Sequence, residues 1–376
     1  MVRRRLAVSA SVGCVVLLTA FLVTVPSYKA ADTIPGQIAD DVFWKMISDF
    51  SEETGSFRFE YMSNELQFQY VIPRLKENRK PGGVYLGVGP EQNFTYIAAL
   101  QPKMAIICDI RRQNMVEHLI YKAIFEMSSD RADFLSRLFS RKTPEGLTEK
   151  STARQLFQAF RSVPPDAEMY RANLQAVKDR LVKTHRFQLN SGDLESIDFI
   201  YRIFFDTASV YGYSTAYYGG FGGTYADLMT ATDQQGQTRS YLANEENFQI
   251  VRDLERKNLI VPIVGDFAGP KALRAAGRYV KDHGGTVAAF YTSNVEQYLF
   301  QQGDDWKRFL SSVSTFPLDS SSMFIRSSHF AFGNSQPQGQ FNRGRFIQLL
   351  SPIAEVVKAF NAGQVTSYED VIRMSK

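Results

Sequence analysis

The spacing of apolar residues changes near residue 84, and that change divides the predicted elements. Before it the period is helical. Residues 39–53 set Val42, Met46, Ile47 and Phe50 on one face of a helix. A second helix is expected from Ser63-Asn64-Glu65, capped by Ser63 or Asn64, to about Glu77, with Pro73 kinking it or ending it early. Arg79-Lys80-Pro81-Gly82-Gly83 then breaks the chain. Beyond the break, short apolar runs alternate with helical stretches. Residues 84–88 predict a strand, and Gly89-Pro90 turns the chain into a short helix. Residues 105–110 are the next strand, and 111–127 a long helix with Met115, Leu119, Ala123 and Met127 in register. Residues 128–258 carry no strand pattern and read as helices over about 130–140, 150–161, 166–184, 193–211 and 244–257. Strand signals return at 259–264 and 286–291, separated by a helix over 270–283. Residues 322–326 read as the last strand and 346–361 as a closing helix. Such alternation predicts an α/β fold, a parallel sheet wrapped by helices. The expected organisation is a helical extension at 32–80, an α/β domain at 81–127 plus 256–330, a helical insertion at 128–255 and a C-terminal extension at 331–376.

Open α/β sheets bind ligands beyond the carboxyl ends of their strands. The first predicted strand runs into Gly87-Val88-Gly89-Pro90-Glu91-Gln92-Asn93, and the second into Asp109-Ile110-Arg111-Arg112. Gly265-Asp266-Phe267 follows the third, and Thr292-Ser293-Asn294-Val295-Glu296 the fourth. All four ends are polar, acidic or glycine-bearing while the strands are apolar, which points to one shared cleft. The chemistry implied is nucleoside binding. Gly87 and Gly89 allow a tight turn and close approach to a helix N-terminus. Asp109, twenty residues beyond Gly89, is placed to accept ribose hydroxyls, and Asp266 to meet an adenine amino group. Turn-making glycines and helix-capping acids are the alternative for the same residues. Asn294 is a candidate for holding a polar substrate and Glu296 for a base, against simple helix capping.

Charge changes this picture little once it is located. The formal charge is +4, but four of the 43 Lys and Arg fall in residues 1–31, where there is no acid; 39 bases then face 39 acids. A neutral remainder gives no support to a nucleic-acid surface. Arg3-Arg4-Arg5 precedes twenty uncharged residues, 6–25, the pattern of a secretory signal or an N-terminal anchor in the inner membrane. Both place residues 32–376 outside the cytoplasm, periplasmic, secreted or membrane-anchored. Cys108 is the one cysteine beyond the leader, so an intrachain disulfide or a cysteine zinc site is excluded there. The histidines, His118, His185, His283 and His329, show no metal spacing, and no metal is expected. Glu245 and Glu246 open a helix that either closes the cleft or merely suits its own N-terminus. The aromatic-glycine run at 211–225 reads as a lid or a surface loop.

Residues 84–89, 107–110, 263–266 and 290–294 resemble, in order and spacing, the successive motifs of class I S-adenosylmethionine-dependent methyltransferases. The runs 87–114 and 261–299 are similar, more closely, to a family of uncharacterised exported bacterial proteins built on that fold. The resemblance implies a Rossmann-like, class I methyltransferase-type sheet, rich in parallel strands, with helices on both faces. It implies a cofactor site at Gly87, Gly89, Asp109 and Asp266 with Asn294 at the substrate edge, and S-adenosylmethionine as a possible cofactor. Glu91, Asn93 and Arg111 complete the expected binding set. Two positions depart from the pattern. Glu91 stands where a small residue is usual, unfavourably close to a ligand carboxylate unless Arg111 or Arg112 pairs with it. Tyr85 stands where an acid is usual. S-adenosylmethionine is also a cytoplasmic compound, whereas the leader directs the domain outside. The first expectation is therefore a pocket for a small nucleoside-type molecule, its activity open. An active methyltransferase is the second, and a scaffold that binds a protein partner the third.

Overall fold

A computed structural model describes residues 32–57, 61–77, 80, 82–206, 223–328 and 346–375. The uncharged run 6–25, most of the aromatic-glycine run and His329 lie outside these residues. Six strands build one sheet: β1 (Val84–Gly87), β2 (Met104–Asp109), β3 (Ile260–Val264), β4 (Val287–Ser293), β5 (Met323–Ser328) and β6 (Ile347–Pro352). Their order is β3-β2-β1-β4-β5-β6. β6 runs antiparallel to β5 and every other pair is parallel. The chain is thus α/β with a Rossmann-like sheet. Strand order reverses between β1 and β4, the position where such sheets leave a crevice. β1, β2, β3 and β5 are buried along their whole length, which is why they read as continuous apolar runs.

Two helices precede the sheet, α1 (Asp40–Phe50) and, after a 3-10 turn at Phe68–Val71, α2 (Ile72–Glu77). α3 (Gln92–Leu100) joins β1 to β2. Between β2 and β3 come α4 (Arg112–Met127), α5 (Arg131–Phe139), α6 (Ala153–Arg161), α7 (Ala167–Asp179), α8 (Ser191–Asp206), α9 (Tyr225–Thr230) and α10 (Glu245–Arg256). α7 ends in a π-helical turn at Arg180–Thr184. α11 (Ala272–Asp282) joins β3 to β4; α12 (Val295–Leu299) and α13 (Asp305–Val313) lead to β5. α14 (Ile353–Asn361) and α15 (Tyr368–Arg373) close the chain. α3, α4 and α10 pack together in one layer, while α1, α11, α13 and α14 form a second chain of contacts. Among the described residues no helix is long and apolar enough to cross a membrane.

All nine residues of α3 are buried. Phe94, in its first turn, meets Tyr121 and Phe125 of α4 edge-on at 5.2 Å and Tyr241 at 5.5 Å. Phe134 of α5 lies 4.5 Å from Phe125 and 5.6 Å from Phe248 of α10. Such pairs add about 0.5–1.5 kcal/mol each beyond burial. The same cluster fixes the loop that enters α3, because α3 has no freedom to shift.

Three expectations need correction. In α1 it is Phe43 that is buried; Val42 is 47% exposed. The second helix starts only at Phe68, and Pro73 sits in the first turn of α2, where its missing N–H is no loss. Residues 347–352 are a strand and not the start of a helix. The backbone donors and acceptors of β5 stand open along that edge, and β6 pairs with them from Ser328–Ile347 to Met323–Pro352. Pro352 then ends the strand and starts α14.

Candidate functional site

A cleft of about 210 Å³ opens at the carboxyl ends of β1 to β4. Val88 and Gly89 border it after β1, Asp109 at the end of β2 and Arg111 beyond it, Gly265 and Asp266 after β3, and Ser293 and Asn294 at the end of β4. Phe57 and the loop Ser63-Asn64-Glu65 close it from the N-terminal side; Tyr298 of α12 lies opposite, its ring 5.3 Å from that of Phe57. The structure therefore brings Gly89, Asp109, Arg111, Asp266 and Asn294 together. Gly87, Glu91, Asn93 and Glu296 do not border the cleft.

The two loop glycines have different physical roles. Gly89 has φ +76, and a Cβ added there would meet no atom within 4 Å. Its backbone is thus bare toward the cleft and left-handed, a conformation strained for any L side chain. A Cβ on Gly87 would instead lie 2.0 Å from Asn93 Oδ1 and 2.8 Å from the Tyr85 ring. Gly87 makes room for a neighbour, not for a ligand. That neighbour is the staple of the loop. Asn93 Nδ2 donates to the carbonyls of Val88 (2.9 Å), Gly89 (3.0 Å) and Pro90 (2.8 Å), and its Oδ1 accepts from Tyr85 Oη at 2.9 Å. His118 adds a brace: its Nε2 lies 2.9 Å from Gly89 O, which can only accept, so Nε2 carries the proton. Burial holds the His118 imidazole down at about 4, so it is neutral.

Glu91 is fully buried and accepts from Ser63 N at 3.2 and 3.3 Å. Burial, with Glu65 nearby, pushes its carboxyl up to about 8. The expected partners are taken elsewhere. Arg112 donates to Asp193 at 2.6 and 2.8 Å, and Arg111 to Asp109 at 3.1 Å through both Nε and Nη2. Glu91 needs no cation because near neutral pH it is largely protonated.

Asp109 is 5% exposed. Its Oδ1 accepts from the backbone N (2.9 Å) and Nε of Arg111, and its Oδ2 from Nη2. Three of about four lone-pair positions are used, leaving acceptor capacity on Oδ2. Asp266 Oδ1 accepts from Ala268 N at 2.8 Å and so shapes its own turn; Oδ2 has no protein partner among the described residues. Glu296, the candidate base, does not border the cleft. It is 1% exposed and gripped by Arg326 through both carboxylate oxygens, with Thr292 Oγ1 on Oε2 at 3.2 Å. Glu245 pairs with Arg131 at 3.1 Å, also outside the cleft. Among the described residues no group of three His, Cys, Asp or Glu is arranged to hold a metal ion.

The residue missed in the sequence is Glu65, expected only as part of a helix start. It is 2% exposed, borders the cleft, and accepts from Gln92, Tyr291, Ser293 and Gln348. These partners lie 27 to 283 residues away, so no local pattern marks it. Ser293, which donates to Glu65, has φ +50, a costly conformation without glycine.

The chain belongs to the family described as Domain of unknown function (DUF7790), which matches residues 61–345. The matched stretch contains β1 to β5 and every cleft residue named above except Phe57. No curated protein matches the chain in sequence.

Proposed function

We propose that the cleft is a pocket for a small nucleoside-type molecule, in a protein that residues 1–31 direct out of the cytoplasm or anchor to the inner membrane. The observation that carries the reading is the convergence of a bare left-handed glycine, Gly89, with two strand-end acids, Asp109 and Asp266, on one cavity. Ribose hydroxyls suit the remaining acceptor capacity of Asp109, and an exocyclic amine suits Asp266 Oδ2, with Phe267 beside it as an apolar wall. The burial and protonation of Glu91 remove the electrostatic objection to an anionic ligand end near the glycine loop. A scaffold with a vestigial pocket is disfavoured by a cavity still bordered by these acids.

A methyltransferase using S-adenosylmethionine is the second reading, favoured by Asn294, which the end of β4 brings to the same cavity as Gly89 and Asp109. The export leader weighs against it, so binding ranks above methyl transfer. Calorimetry on the purified full-length chain tests both, with adenosine, S-adenosylmethionine and S-adenosylhomocysteine as probes. The expected result is binding of at least one probe, weakened tenfold or more by Asp109→Ala. Silence with all three rejects the nucleoside pocket. Transfer of a labelled methyl group to any acceptor would raise the second reading above the first.

A further inference from the structure

Glu65 differs from three other buried carboxylates near the sheet, and unlike the buried Glu91 it borders the cleft. Asp109, Asp193 and Glu296 each hold an arginine. Glu65 holds only neutral donors: Gln92 Nε2 at 2.8 Å, Tyr291 Oη at 2.9 Å and Gln348 Nε2 at 3.0 Å on Oε2, and Ser293 Oγ at 2.5 Å on Oε1. Among the described residues no Lys, Arg or His side chain pairs with it. Oε1 keeps room for another donor. Four donors thus converge on this carboxylate, and among the described residues none of them carries a positive charge. Because Glu65 borders the cleft, a positive charge on what fills the cleft can reach it.

Two further observations agree. Among the described residues the acids bordering the cleft are Glu65, Asp109 and Asp266, against one guanidinium, Arg111, already bound to Asp109. That balance is negative and attracts cations. The wall next to Glu65 is also held under strain. Ser293, whose hydroxyl Glu65 accepts, sits at φ +50, where the pairing of β4 with β5 shifts register. Non-glycine residues persist in that region only where their surroundings over-determine them.

We infer that Glu65 is the cation-recognising group of the cleft: its ligand carries a positively charged centre, an ammonium or a sulfonium, at the end nearest the carboxyl end of β4. The inference rests on the nucleoside-pocket reading and specifies it. Two probes differ in this feature, the sulfonium S-adenosylmethionine and its neutral thioether S-adenosylhomocysteine. Calorimetry on the full-length chain should show the sulfonium bound at least tenfold tighter. Glu65→Gln should bring the two affinities within about threefold, a gap worth no more than about 0.7 kcal/mol. Asp266→Asn should weaken both and keep their ratio. Equal affinities in the wild type overturn the inference while leaving the pocket intact. So does a preference that survives Glu65→Gln, or one that vanishes in Asp266→Asn. Failure of both probes and adenosine to bind removes the pocket reading and this inference with it. Should Glu65→Gln not fold, Asp266→Asn and Asp109→Asn decide: a ratio kept in both leaves Glu65 as the one bordering acid that can set it.

Discussion

Glu65 and Glu296 are both almost wholly buried, both lie near the carboxyl end of β4, and both are bonded through each carboxylate oxygen. They differ in what holds them. Glu296 faces Arg326, fully buried itself, whose guanidinium also lies 4.2 Å over the Phe324 ring and donates to Ser351. Its charge is cancelled inside the protein, and it does not line the cleft. Glu65 has neutral partners and a cavity. A charge neutralised internally ties elements together, here α12 to β5; a carboxylate held by neutral donors beside open space is available to a ligand. Burial alone does not separate the two cases. The sign and location of the nearest partner do.

The largest test of this contrast removes the internal cation. Arg326→Met leaves Glu296 buried and uncompensated, and should cost about 3–5 kcal/mol in urea unfolding. Adding Glu296→Gln should recover a substantial part of the loss. On the other side, Tyr291→Phe takes one of four donors from Glu65 and should cost only about 1.5–3 kcal/mol. If Tyr291→Phe proved as damaging as Arg326→Met, Glu65 would be a structural centre of the same kind as Glu296, and the contrast would fail.

Gly87 and Gly89 show how far such distinctions are legible in the sequence. The apolar runs of β1 to β4, set off by glycines and acids, are visible as strands, and their polar ends as a common edge. Which end residues face the cleft is not visible. Gly87 and Gly89 look alike in a G-x-G, yet one accommodates Asn93 and the other borders the cavity. Glu91 follows them at a motif position but is buried by Ser63, 28 residues earlier. Glu296 depends on Arg326, 30 residues later, and Glu65 on partners in α3, β4 and β6. β6 was hidden for a similar reason. Ile347, Leu350 and Ser351 fit a helical period equally well, and only the open edge of β5 decides for a strand. Local pattern carries the elements, while the pairing of distant polar groups carries the site. Gly87→Ala tests this at the loop: the added methyl displaces Asn93, and overpacking should cost about 1–3 kcal/mol, with loss of any ligand binding that needs the stapled loop.

A third buried charge cluster lies between these extremes. His185 bridges Asp40 (2.9 Å) and Glu126 (2.7 Å), and Lys122 binds Glu126 at 2.8 Å, joining α1, α4 and the turn after α7. Burial, which alone would lower the imidazole, is outweighed by Glu126 and Asp40, and His185 is raised above its usual 6.5. A raised folded-state value means the stabilisation is fully present below about pH 6.5 and is lost as pH rises through the folded value. The two acids are lowered despite burial, by Asn258 and His185 for Asp40 and by His185 and Lys122 for Glu126; their contribution is lost at acid pH. The stability advantage of wild type over His185→Gln should therefore shrink between pH 6 and pH 8.5, followed by the urea midpoint. An advantage that grew over that range would mean His185 is neutral when folded.

Gly89→Ala should have the smallest effect on folding and the clearest effect on the cleft. The methyl meets no protein atom within 4 Å, so its cost is the left-handed backbone alone, about 1 kcal/mol. That is less than the expected cost at Gly87, where backbone strain is absent but two side chains stand in the way. In binding the order should reverse for a different reason: at Gly89 the methyl occupies the cavity while Asn93, His118 and the loop stay in place. Thermal unfolding of both variants, followed by titration with the nucleoside probes, separates the two roles. A Gly89→Ala protein that loses little stability but binds tenfold more weakly marks the glycine as ligand-facing. Undiminished binding would move the ligand away from the β1 end of the cleft and toward Glu65 and Asn294.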